Sequence, residues 1–290
     1  MDADPEGYFN SSMLFKATIL TISFTTFYFY RQGQPLFRMN NSMAKKDTLA
    51  KVDNSKPAAK RKKKKTIYLT FDDGPCKGSK TVFCILKQEN IPATLFIIGE
   101  HVYGSKTQSA IYDSLKESSL IEIANHSYTH AFENKFYKFY NAPDSATKDF
   151  KRCADSLRFS NNIVRTPGRN IWRTENVNST DLKASSAAAD SLQSKGFIAV
   201  GWDVEWHFNA TQSLVENDSE MLRNIDSAFA RNETKTKNHL VLLTHDRTFA
   251  KPEDSAKLHR FIAALKVKDE YDFEMVSKYP GLTKDTVVGK

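Results

Sequence analysis

Cysteine is scarce in this chain, with Cys76, Cys84 and Cys153 the only three thiols in 290 residues. Three thiols make no disulfide framework and leave at least one unpaired, so buried small apolar residues are their default reading. Cys76 stands three positions past Asp73, but no second cysteine lies at ligand spacing, which argues against a thiolate metal site. A long apolar run is missing too. Residues 17–30 (ATILTISFTTFYFY) form a 14-residue stretch without charge, short of the roughly 20 residues that a spanning helix needs. The stretch suits the apolar part of an export signal or a short signal anchor. No small-x-small cleavage pattern follows Tyr30, so an uncleaved anchor and a place in the cell envelope are expected. The positive-inside rule pulls the other way, because the basic residues beyond it would hold the C-terminal side in the cytoplasm.

The body of the chain also lacks a charge surplus. Residues 45–65 hold ten Lys or Arg against two acids, residues 1–44 hold three of each sign, and residues 66–290 hold twenty-nine of each. The whole net charge of +8 therefore sits in one short segment that ends in Lys60-Arg61-Lys62-Lys63-Lys64-Lys65. With almost no apolar content, 45–65 is expected to be a disordered linker between an N-terminal segment, 1–44, and a folded domain, 66–290. Such a linker would be drawn to an anionic wall or membrane surface. A neutral domain behind it has no footprint for nucleic acid, so none is expected as a partner, and a monomer is expected.

No internal repeat interrupts the domain. Apolar runs at residues 67–71, 94–98, 120–124, 163–165, 197–202, 240–244 and 273–276 read as seven strands. Helical patterns fill the gaps at 79–89, 105–117, 143–157, 181–195, 218–230 and 253–266. That alternation predicts one α/β domain whose parallel sheet is closed or nearly closed into a barrel.

Chemistry-bearing residues follow the strands. Asp72 and Asp73 follow the first, in Thr70-Phe71-Asp72-Asp73-Gly74-Pro75, and His126 and His130 follow the third, in His126-Ser127-Tyr128-Thr129-His130. Arg165 ends the fourth, Glu205 and Trp206 follow the fifth, and His245-Asp246 follow the sixth. In a parallel barrel, that is the edge where active sites assemble. Side chains alternate along a strand, so the adjacent aspartates point different ways and can do different work, one on a metal and one on a proton. Two imidazoles at i and i+4 share a face of a helical turn, and with one carboxylate they make a two-His, one-acid set with open positions. His101, His207, His239 and His259 stand in no such pattern and read as surface or packing residues.

These five stretches, with Arg165-Thr166-Pro167-Gly168, Asp203-Val204-Glu205-Trp206 and Leu242-Leu243-Thr244-His245 completing the set, resemble in order the motifs of the polysaccharide deacetylase family, the NodB homology domain of chitooligosaccharide, chitin and peptidoglycan deacetylases. The resemblance spans about residues 66–280. It implies a distorted (β/α)7 barrel and a hydrolase that removes N-acetyl groups from an N-acetylglucosamine-containing glycan. It implies a divalent ion, zinc first and Co, Mn or Ni after it, on Asp73, His126 and His130. Asp72 would be the general base, oriented by Arg165, and His245 the general acid, supported by Glu205. Trp206, Leu243, Pro167 and Gly168 would line the acetyl pocket. Two departures stand out: Glu205 is one methylene longer than the usual Asp, and Gly168-Arg169 follow Pro167 where an aromatic is common. Arg169 and Arg173 beside Trp172 suit an anionic or branched glycan, or else a solvated loop. Two other readings stay open, a same-fold hydrolase of a small cyclic imide or amide and an inactive glycan- or wall-binding protein.

No candidate for chemistry lies before residue 66. A chain begun near Lys65 is expected to fold and to release acetate from a soluble glycan at the full-length rate. Loss of turnover in a truncation that circular dichroism shows to be folded would place the linker in the machinery.

Overall fold

Residue alternation in the first strand sets the architecture. In β1 (Lys65–Gly74), Ile67, Leu69 and Phe71 enter the main apolar cluster under the helices, while Tyr68 belongs to a second cluster on the other face. Thr70 and Asp72 share the parity of Tyr68, so this inner face runs from apolar to polar along the strand. The computed structural model describes residues 63–282. The apolar stretch 17–30 and the linker up to residue 62 lie outside the described residues, and β1 begins at Lys65, one residue ahead of the expected boundary.

The remaining strands are β2 (Ala93–Ile97), β3 (Ile121–Asn125), β4 (Ile163–Val164), β5 (Ile171–Arg173), β6 (Asn178–Thr180), β7 (Ile198–Ala199), β8 (Val204–Glu205), β9 (His239–His245) and β10 (Tyr271–Phe273). Seven of them pair in parallel in the order β7-β4-β3-β2-β1-β9-β8. That is chain order taken once around a ring and broken between β7 and β8, where no ladder is found among the described residues. The result is a curled, open-seamed α/β barrel. The expected strand at 273–276 is β10, displaced to 271–273 and added beside β1, and the seventh ring strand is β8 instead. The antiparallel pair β5–β6 was not foreseen.

Helices Lys77–Glu89, Lys106–Lys116, Pro143–Leu157, Ser186–Ser194, Asp218–Ala230 and Pro252–Lys268 occupy the expected gaps. Pro143 and Pro252 open their helices, where a missing N–H costs nothing. Asn217 closes a capping box with Glu220 at the start of Asp218–Ala230. Among the described residues no helix is long and apolar enough to cross a membrane. Inside the ring, Tyr68, Phe96, Trp172, Val241, Val276 and Tyr279 fill one end. The carboxyl ends of the parallel strands carry the polar residues at the other.

Candidate metal centre and active site

The exit of β1 splits the two aspartates by a backbone device. Asp72 pairs with Phe96 of β2, but the next partner of Ile97 is Gly74, so Asp73 is a bulged residue with φ 79°. A bulge re-aims a side chain, and here it turns Asp73 toward the histidines while Asp72 keeps the inward parity of the strand.

Asp72 meets Arg165, whose side chain is wholly buried. Arg165 Nη1 donates to Asp72 Oδ1 at 3.0 Å and to Thr70 Oγ1 at 2.6 Å, Nη2 donates to the Gly201 carbonyl at 2.8 Å, and Nε to the Val200 carbonyl at 3.1 Å. The guanidinium also lies 4.1 Å from the Phe96 ring centroid. Every face of this cation is used, and one of those uses is to hold Asp72.

Asp73 Oδ1 lies 3.4 Å from His126 Nε2 and 3.1 Å from His130 Nε2. His126 Nδ1 sits 2.9 Å from the Arg165 carbonyl and His130 Nδ1 sits 2.6 Å from Asn134 Oδ1. Both oxygens accept, so each Nδ1 carries the proton and each Nε2 turns its lone pair to Asp73. Asp73 Oδ1 is buried and has no hydrogen-bond partner, and the three donor atoms lie within 4.8 Å of one another. Two imidazole nitrogens and one orphaned carboxylate oxygen at that spacing fit a divalent cation.

The histidine pair is not on an α-helix, contrary to the expectation from its spacing. His126 follows β3, and residues 130–134 have φ between 48° and 66°, a left-handed turn. Asp149 secures the connection, accepting from the Tyr128 and Thr129 N–H groups at 3.0 and 3.1 Å and from Thr129 Oγ1 at 3.1 Å. Burial pushes the His126 imidazole down to about 4, against the pull of Asp72, and burial also lowers His130. Both rings are held neutral, the form that binds a metal.

His245 closes the far wall at the end of β9, register partner to Asp72. Its Nδ1 is buried without a partner and its ring lies edge-on to Phe208, centroids 4.8 Å apart. Burial lowers its pKa, and the Asp72 and Glu205 carboxylates oppose that shift without reversing it. No hydrogen bond joins Glu205 to His245 among the described residues, so any support is through space. Asp203 has other work, accepting from Lys235 N at 2.7 Å and Val241 N at 2.8 Å.

Asp72, Asp73, His126, His130 and His245 face one cleft of about 360 Å³, lined also by Phe136, Gly168, Trp202, Glu205, Phe208 and Leu243. Trp206, expected on this wall, is fully buried in the core against Phe249 and Phe261, and donates to the Glu216 carbonyl at 2.9 Å. Pro167 is buried as well, its carbonyl accepting from Tyr140 Oη at 2.6 Å. Trp202 supplies the aromatic wall in place of Trp206. Arg173 is no glycan ligand, since it is buried and spent on Asp190, two backbone carbonyls and Thr180. Arg169 folds onto the Gly168 carbonyl.

Beside Trp202 and Phe208, two basic residues around Asp73 escaped the sequence reading. Arg247 pairs with Asp73 Oδ2 and lines the cleft. His101, assigned to surface or packing, places Nδ1 3.0 Å from the Asp73 carbonyl. Both lie just past a strand exit, and applying the strand-end rule to β2 and one residue further past β9 would have found them.

Residues 59–167 match the family model for polysaccharide deacetylase. A chitin disaccharide deacetylase of Vibrio alginolyticus is 27% identical over 206 residues, covering 49% of this chain and 48% of its own. A peptidoglycan-N-acetylglucosamine deacetylase of Bacillus cereus is 28% identical over 234 residues, 77% of this chain and 75% of its own. The chain spans about half the length of the curated relatives it matches first. Among solved structures, the catalytic domain of peptidoglycan N-acetylglucosamine deacetylase from Eubacterium rectale gives a TM-score of 0.56 at 20% identity, covering 81% of this chain and 99% of that one. A Streptococcus mutans CE4 esterase gives 0.57 at 20% identity, covering 73% and 86%. At that identity the likeness is one of fold, and the fold is the distorted barrel that the motifs implied.

Two outcomes follow from the buried imidazoles. His126, His130 and His245 are lowered in the folded protein, His126 to about 4, so below about pH 6.5 these imidazoles bind more protons in the unfolded chain than in the folded one. Their share of the metal-free protein's stability is therefore full above that window and lost as pH falls, while Asp203 and Asp246, pushed up by burial to about 6 and about 7, act the opposite way over the same range; the urea midpoint of His126→Gln should fall less on acidification than that of the parent, and an identical pH dependence would contradict the burial argument. Replacing Glu205 with Gln removes a carboxylate that favours protonated His245, so the alkaline limb of a rate profile that needs this proton should move to lower pH. A limb that stays in place would release Glu205 from that role.

Proposed function

We propose, on the polysaccharide deacetylase match over residues 59–167, that this chain is a metal-dependent hydrolase that removes N-acetyl groups from an N-acetylglucosamine-containing glycan and releases acetate. The observation that carries the reading is one cleft that gathers the Asp73-His126-His130 donors, an Asp72 clamped by a buried arginine, and His245.

Asp73, His126 and His130 would hold a divalent ion, zinc first by ligand type, which would supply Lewis acidity for the amide carbonyl and a lowered pKa for water. Asp72 accepts the proton of the attacking water. Arg165 holds that carboxylate at a fixed angle through the Nη1–H bond to Oδ1. Once the water oxygen has bonded to the carbonyl carbon, His245, across the cleft, delivers a proton to the amine nitrogen, so that the carbonyl re-forms, the carbon–nitrogen bond breaks and the amine leaves neutral. Leu243 gives the acetyl methyl an apolar seat, and Trp202 and Phe208 limit water around it. The products are acetate and a free amino sugar. Peptidoglycan, chitin-like and surface glycans all carry the acetamide. Residues 45–65 and 17–30 extend the proposal to a protein of the cell envelope, drawn by charge to anionic wall or lipid.

Acetate release from N-acetylglucosamine oligomers and from peptidoglycan with added metal tests the reading; activity confined to small cyclic imides, or none on any substrate, defeats it. The two aspartates should then fail differently. Asp73→Asn is expected to weaken metal binding and to lose activity that excess metal partly restores. Asp72→Asn should keep the metal and lose about two to four orders of magnitude in turnover, without rescue. Calorimetric metal titration beside acetate release reads both, and metal loss in Asp72→Asn with retention in Asp73→Asn would exchange the roles.

A further inference from the structure

Asp246, the residue after His245, is completely buried, yet neither the cleft nor the metal donors use it. Its carboxylate crosses to the turn that follows the two aspartates. Oδ2 accepts from Ser79 Oγ and Oδ1 accepts from Cys76 Sγ at 3.3 Å. Ser79 Oγ in turn accepts from the Cys76 N–H at 2.7 Å, so the turn is closed on itself around the carboxylate. Two glycines make room. A Cβ at Gly74 would stand 2.5 Å from Asp246 Oδ2, and one at Gly78 would collide with the Asp246 carbonyl oxygen. Both oxygens of the acid are engaged, and the backbone on both sides of the turn is shaped to its presence.

The two strands joined here are the two whose ends must stay in register for a proton to be taken on one side and given on the other. β1 and β9 pair directly, with Asp72 opposite His245, but that ladder ends at this pair. Beyond it the chains diverge, one into Gly74-Pro75 and the other into a short 3-10 turn at Asp246–Ala250. Main-chain hydrogen bonds no longer fix the imidazole relative to the base. Resting on the deacetylase reading above, we infer that Asp246 is a positioning residue: it buckles the His245 exit to the Cys76–Ser79 turn and so sets the placement of His245 relative to Asp72.

The role differs from a merely structural one in what it moves. A buried acid that only stabilised the fold would, when altered, lower the melting temperature and leave the reaction of folded molecules as it was. A positioning residue alters the chemical step, because misplacement of a catalytic group by ~1 Å costs up to about a hundredfold in rate. Asp246→Asn keeps the size and one acceptor but sets an NH₂ against one of the two donors. Ser79→Ala removes the stronger donor from the other side of the buckle.

The experiment uses the full chain at saturating metal, with kcat and KM for acetate release measured for Asp246→Asn, Ser79→Ala and the double variant, each first shown to be folded by circular dichroism. The expected result is a ten- to hundredfold loss of kcat in Asp246→Asn with KM within about threefold, a smaller loss in Ser79→Ala, and a double variant no worse than the poorer single one, as two ends of one link require. A kcat within twofold of the parent, or strictly additive losses, overturns the role. Should the parent chain release no acetate, it is the deacetylase reading that falls. The seat of His245 is then read from its imidazole NMR resonances, and resonances unchanged by Asp246→Asn overturn the inference on their own.

Discussion

One fully buried guanidinium organises the reacting end of this barrel. Burying a charge costs several kcal/mol unless it is paired and its donors are satisfied, so Arg165 is tolerable only with its whole set of acceptors in place. Those acceptors come from β1, through Thr70 and Asp72, and from the exit of β7, through the Val200 and Gly201 carbonyls. Its own carbonyl then orients His126. A single residue thus fixes the placement of the Asp72 carboxylate, the tautomer of His126 and the spacing of two strands that are not neighbours. The adjacent aspartates are each held by a different arginine, Asp72 by Arg165 and Asp73 by Arg247, which is how two like charges side by side are kept from sharing one role.

Burial also sets the state of the imidazoles. Carboxylates close to His126 and His245 would on their own raise both pKa values, yet desolvation outweighs them at each ring. For His126 the outcome suits a ligand, which must be neutral. At His245 the same burial favours the neutral ring, with the Asp72 and Glu205 carboxylates pulling the other way. The unpartnered Nδ1 of His245 marks the same balance: the ring lies against Phe208 with no carboxylate on its far nitrogen to pin the proton there.

What could be read from sequence divides along physical lines. Strands β1, β2, β3 and β9 are apolar runs of five residues or more, and helices Pro143–Leu157 and Asp218–Ala230 carry a proline or a capping box at their starts; these were legible. β5, β6 and β8 are two or three residues long and owe their state to neighbouring strands, so no local pattern announced them. The donor residues were legible because acids and imidazoles at successive strand exits are chemically conspicuous. Their conformation was not: a left-handed turn from His130 and a bulge at Asp73 leave no periodicity to detect. The exchange of Trp206 for Trp202 has the same origin. With β8 unrecognised, the parity of that segment was unfixed, and parity decides which tryptophan faces the cleft and which the core.

The central position of β1 has a consequence for how the molecule comes into being. Its partner β9 lies far along the chain, the Thr70 hydroxyl bonding to a carbonyl 172 residues away. Contacts of that span form slowly, because the loop must be closed before they repay its entropy. During synthesis, the segments that hold Asp73, His126 and His130 leave the ribosome well before His245. A nascent chain therefore carries all three candidate metal donors while one long edge of β1 still lacks its neighbour, and an unpaired edge of that kind invites pairing with another chain.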